Sequence, residues 1–124
     1  PTDDELRDRL AVIRLAAAHY VGVGEWEHLL VDLLRVLQSD RVPRARGVQF
    51  AVSLVAELWE QGTPELLEFT MRTLQWPEVQ EALQTHTESD ADFRTRDLAS
   101  SVLEVYGPEW PNGEIYRTYR AASA

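Results

Sequence analysis

The run Arg44-Ala45-Arg46-Gly47-Val48-Gln49-Phe50-Ala51-Val52-Ser53-Leu54-Val55-Ala56-Glu57-Leu58-Trp59-Glu60-Gln61-Gly62-Thr63-Pro64 carries the reading on which the fold class turns. Val48, Ala51, Val52, Val55, Leu58 and Trp59 recur at helical steps and make one stripe, while Phe50 and Leu54 belong to a second. A helix apolar on two sides must be packed on two sides, so the spacing predicts a central helix over about 44–61. Its end is punctuated. Gly62 suits the position past a helix terminus, Thr63 an N-cap, and Pro64 the first turn of the next helix.

The same period continues on either side. Upstream, Thr2 with Glu5 three positions later reads as a capping box, and Leu6, Leu10, Ile13, Ala17 and Tyr20 share one face of a first helix ending near Tyr20. Gly22 and Gly24 break the chain. A second helix from about Glu25 to Gln38 turns Trp26, Leu29, Leu30, Leu33, Leu34 and Leu37 inward, before a turn ending at Pro43. Downstream, a fourth helix to about Leu74 packs Leu67, Met71 and Leu74, and Trp76-Pro77 opens a short fifth with Val79, Ala82 and Leu83. Ser89-Asp90 reads as the cap of a sixth, where Leu98, Ala99, Val102, Leu103 and Tyr106 face inward until Gly107-Pro108. Residues 110–124 read as a turn and one or two helical turns that either pack back, with Ile115 and Tyr119 on a shared face, or form a docking tail. No segment alternates with period two. The expectation is a single all-α domain over residues 1–124, with about six main helices in antiparallel pairs, as a compact bundle or a short solenoid.

Asp92-Phe93-Arg94, followed by Leu98, Ala99, Val102 and Leu103, resembles the second helix of a HEAT repeat, whose pattern is an Asp, an apolar residue and an Arg ahead of spaced apolar residues. Pro43-Arg44-Ala45-Arg46 ahead of Val48, Ala51, Val52 and Val55 echoes it, with Arg44 and Arg46 in register with Arg94 and Arg96. The echo departs at Pro43, where the family has an apolar residue, and the first helix pair lacks the motif. The resemblance covers about two-thirds of the chain. It implies a short right-handed stack of helix hairpins whose inner face binds another protein, with no active site.

Composition narrows the function classes. Twenty-one acids face twelve basic residues, all of them Arg, for a net charge of −9. Such a surface disfavours nucleic acid, whose phosphates need cations, and suits a basic protein partner. Arg to the exclusion of Lys fits a GC-rich, bacterial genome. The absence of Cys removes disulfides, thiolate catalysis and thiolate metal sites. No apolar run approaches the roughly 20 residues of a membrane span. The opening Pro1-Thr2-Asp3-Asp4-Glu5 is acidic where a secretory signal is basic, so a cytoplasmic location is expected.

No catalytic, cofactor or metal-ligating constellation emerges. Glu25-x-x-His28 has a spacing used in di-iron bundles, but those need the motif twice plus two further Glu. Gly22-Val23-Gly24 lacks the third Gly and the Lys of a phosphate loop, and Asp90-Ala91-Asp92 lacks the central Gly and later oxygen ligands of a calcium loop. Ser100 and Ser101 have no nucleophile elbow. The expectation is a non-catalytic protein-interaction module, of the kind by which small acidic immunity proteins or antitoxins neutralise a partner; the alternative is a small carboxylate- or metal-dependent hydrolase using His28. Between Glu57 and Asp92, nine acids oppose Arg72 alone. The partner-binding surface is therefore expected around Glu57, Glu60, Glu65, Glu68, Glu78 and Glu81, flanked by Trp76 or Trp59. Self-association through Trp-rich ends of a helix stack is a further expectation.

Overall fold

A computed structural model describes residues 2–88 and 92–123. Seven α-helices follow in order among the described residues: α1 (Thr2–His19), α2 (Glu27–Gln38), α3 (Arg44–Val55), α4 (Thr63–Leu74), α5 (Pro77–Glu88), α6 (Phe93–Leu103) and α7 (Arg117–Ser123). Tight 3-10 turns lie at Val23–Glu25, Glu104–Tyr106 and Pro111–Ile115, and no strand occurs among these residues. None of the described helices is long and apolar enough to cross a membrane.

The predicted stripes form the core. Leu6, Leu10 and Ile13 from α1, Leu30, Leu33, Leu34 and Leu37 from α2, and Val79 and Leu83 from α5 are all buried. Each fully buried aliphatic side chain contributes about 1.5–3 kcal/mol, which offsets the entropy of ordering its helix. α1 packs on α2 and α3, α3 on α5, α2 on α4, and α4 on α6, while α5 and α6 lie along one another.

The helix enclosed on all sides is α4, where the spacing pointed to the third. Thr63, Leu66, Leu67, Glu68, Phe69, Thr70 and Met71 are consecutive buried positions or nearly so. The reason is the C-terminal segment, which folds back as one of the two expected arrangements. The rings of Tyr116 and Tyr119 meet Phe69 edge-on at 5.4 and 5.1 Å, and Trp110 stacks on Tyr116 at 5.4 Å. Ile115 points outward, half exposed, so it does not share the buried face of Tyr119.

The third helix also ends six residues early, at Val55. Residues 56–62 continue as turns closed by i to i−3 bonds, from Glu57 N–H to Leu54 O, Glu60 N–H to Glu57 O and Thr63 N–H to Glu60 O. This tighter winding keeps Leu58 in the core and rotates Trp59 out of the stripe it was read into. Gly62 closes the turn at φ +83, and a Cβ there would stand 2.9 Å from that of Ala17, so the position demands glycine twice over. Gly62 is also the N-cap of α4; the Thr63 hydroxyl is turned to Arg14 instead of capping. Tyr20, expected in the core, is exposed because α1 stops at His19, against whose ring it stacks edge-on at 4.9 Å. The second helix begins two residues later than predicted.

Three further points concern helix ends. The Thr2 half of the predicted capping box and the Ser89-Asp90 cap lie outside the residues whose side chains are described. Glu5 instead accepts from Arg41 at 3.0 Å. α6 is capped by Asp92, which accepts from Arg94 N–H at 2.8 Å and Thr95 Oγ1 at 3.0 Å. Phe93, the apolar member of the HEAT-like motif, is 75% exposed.

Candidate functional site

The predicted acidic surface does not fold into one face. Glu57 is bound by Arg14 at 3.1 Å and Arg7 at 3.6 Å. Glu78 forms a fork with Arg44, at 2.7 and 2.8 Å, and the Arg44 hydrogen bonds hold its carboxyl well down, at about 2. Glu68 is buried under the tail. Trp76 is buried too: its ring lies against Gly47, where a Cβ would sit 2.7 Å from Cη2, with Arg44 over it at 5.8 Å. Glu81 stays exposed on α5. Glu60 and Glu65 line one hollow, beside Trp59 rather than Trp76.

Trp59 is the one Trp of the four that faces solvent, at 67% exposure. It borders an open hollow of about 600 Å³, with Tyr20, Val21, Leu98 and Ile115 on its walls and Glu60, Glu65 and Arg94 as its charged groups. Val21 is fully exposed, and Tyr20 and Ile115 about half. Four chain segments therefore bring apolar groups to one patch of solvent. The turn that presents Trp59 is fastened from outside: Arg14 of α1 grips Glu57 on one flank and Thr63 Oγ1 on the other, at 3.1 and 3.2 Å. Such bracing keeps the ring placed before anything binds, which lowers the entropic cost of association.

Behind the hollow, two buried carboxylates hold the tail. Glu27, on α2, accepts from Arg117 N–H at 2.8 Å, Thr118 N–H at 2.9 Å and Thr118 Oγ1 at 2.8 Å, so it caps α7 from a distant helix. Glu68 Oε2 accepts from Tyr116 Oη at 3.1 Å. Burial raises the Glu68 carboxyl to about 7; the Tyr116 bond opposes this, while Glu65 and Glu104 add to it. Burial, and then the nearby Glu68, push the Tyr116 phenol up as well. Tyr119 donates to Phe69 O and shares a 2.6 Å bond with Thr73. On the far side, Arg72 donates to the carbonyls of Val105 and Gly107, both at 2.9 Å, and lies over Trp110.

Glu25 lies in the 3-10 turn ahead of α2, and both it and His28 are exposed, so the two do not share a helical face. Among the described residues, no group of three His, Asp or Glu is placed to hold a metal ion. The sequence held one sign of the Trp59 site that periodicity overrides: Glu57, Glu60 and Gln61 crowd Trp59 just ahead of Gly62-Thr63-Pro64, where a helix is about to stop. The buried roles of Glu27 and Glu68 left no local sign. No protein-family model matches the chain, and no curated protein or solved structure matches it.

Proposed function

We propose that this is a non-catalytic protein-interaction domain that docks a basic partner protein at the Trp59 hollow and neutralises it, in the manner of acidic immunity proteins, in the cytoplasm. The observation that carries this reading is a braced, outward-facing Trp59 with Tyr20, Val21 and Ile115 beside it. Exposing that much apolar surface stabilises nothing within the chain, and contiguous apolar patches mark interaction sites. Trp and Tyr dominate binding energy at such centres. The net charge of −9 favours encounter with a basic partner.

The packing order supports reading the helices as antiparallel hairpins α1/α2, α3/α4 and α5/α6 in a short HEAT-like stack. The contacts of α3 with α1 and α5, and of α4 with α2 and α6, support this reading. In that reading, the tail already fills the face of α4 that a partner would otherwise take, so docking moves to the hollow. The hydrolase alternative would draw on Glu68, whose carboxyl is held near 7, but Glu68 is buried and its Oε2 accepts from the Tyr116 hydroxyl.

A photo-crosslinking amino acid at position 59, in the cell that makes the protein, tests the proposal. One protein species should be captured there and not from position 15, an exposed site on the outer face of α1. Loss of any adduct at 59, with the melting curve unchanged, would overturn it.

A further inference from the structure

We infer that the Trp59 hollow reads an arginine side chain, so that the partner presents an arginine flanked by apolar residues. This rests on the docking reading above and adds the chemistry of the ligand. The hollow holds the three things a guanidinium takes together. Trp59 and Tyr20 offer exposed aromatic rings, which attract a flat, weakly hydrated cation. Glu60 and Glu65 supply carboxylates that no cation among the described residues pairs with, whereas Glu5, Glu57 and Glu78 each have an Arg partner. Val21, Leu98 and Ile115 provide apolar walls for the flanking residues.

Glu65 carries the sharpest sign. Its Oε2 is out of reach of solvent and has no hydrogen-bond donor. A buried acceptor left this way is costly, and rotation of the Glu65 side chain toward a donor arriving in the hollow removes that cost. Arg94, the one cation among the described residues that line the hollow, does not supply that donor. It repels a second cation from its own wall, which leaves the side of Glu60 and Glu65 for the incoming group. Gly22 and Gly24 also line the hollow, and a Cβ on either would meet only open space, so the incoming residue is not crowded there. Arginine fits better than lysine because its plane can lie on an indole while its fork meets a carboxylate with two bonds.

The test uses the full chain and blocked apolar tripeptides with Arg, Lys, Gln or Glu at the centre. Binding is followed by Trp fluorescence, with Trp59→Phe as the control that removes the signal. The Arg peptide should bind at least about tenfold more tightly than the Gln peptide, with Lys between them and Glu weakest. Glu65→Gln and Glu60→Gln should each weaken the Arg peptide about fivefold or more and leave binding of the Gln peptide alone. Equal affinity for Arg and Gln peptides would overturn the arginine inference while leaving docking at the hollow intact. So would an adduct at position 59 without measurable binding of the Arg peptide. Arg-selective binding with no adduct at 59 would support the inference and instead remove the proposed protein partner.

Discussion

Glu68→Gln is expected to stabilise the protein above neutral pH and to leave it nearly unchanged in acid. In the fold, Glu68 is 7% exposed, accepts one bond from Tyr116, and has Glu65 of its own helix and Glu104 of the turn after α6 as like-charged neighbours. Its carboxyl is raised from 4.5 to about 7, so the folded chain keeps a proton that the unfolded chain releases. Stability from the neutral form is therefore complete below about pH 4.5, declines as pH rises, and is lost above about 7. At roughly 1.4 kcal/mol per pH unit, that gap corresponds to about 3 kcal/mol. Gln keeps an acceptor for Tyr116 and cannot ionise, so at pH 8 the variant should gain about 2–3 kcal/mol. For a chain of this length that is a rise of roughly 6–12 °C in melting temperature. Thermal or urea unfolding from pH 4.5 to 8.5 measures it as the difference between the two curves, which cancels the other carboxyls. Parallel curves would show that Glu68 does not titrate with folding. A less stable variant at pH 8 would show that the fold prefers the ionised carboxylate.

Three other outcomes follow from named contacts. Trp59→Phe should remove most of the fluorescence that acrylamide quenches readily, since Trp26, Trp76 and Trp110 are buried, and should change stability by less than about 0.5 kcal/mol. Glu27→Ala leaves the first N–H groups of α7 without their acceptor; we expect a loss of about 1–3 kcal/mol and faster amide exchange at Arg117 and Thr118 than elsewhere. Gly47→Ala drives a methyl group into the Trp76 ring at 2.7 Å, and should cost about 1–3 kcal/mol, read as a lower urea midpoint with a shifted Trp emission.

Periodicity in the sequence was enough for the helical class, most helix positions and most core residues, because a stripe such as Leu6, Leu10 and Ile13 depends only on residues next to it. It failed where a residue's surroundings are distant or where the winding changes. Trp59 shares a helical face with Val52 and Val55 only if the helix continues, and the i to i−3 turns after Val55 break that register. Trp76 opens a helix, where a ring often meets solvent, yet Gly47 leaves a seat for it from another helix. Glu68 follows Glu65 by three positions and reads as one more acid on a solvated face until residues 110–119 fold over it. Counting charge by segment misled for a related reason. Arg14 and Arg44, which lie outside the acidic stretch, supply the ion partners of Glu57 and Glu78.

The capping of α7 by Glu27 sets an order on how the chain completes itself. The groups it joins are separated by 90 and 91 positions of the 124-residue chain. During synthesis at about 5–20 residues per second, Glu27 emerges roughly 5–18 s before the amides that satisfy it. Throughout that interval its carboxylate lacks the donors of α7 and must remain hydrated, so its burial comes late. The seam between the start of α2 and α7 therefore closes last, and protease sensitivity near Trp26 should persist on stalled nascent chains until residues 117 and 118 are free.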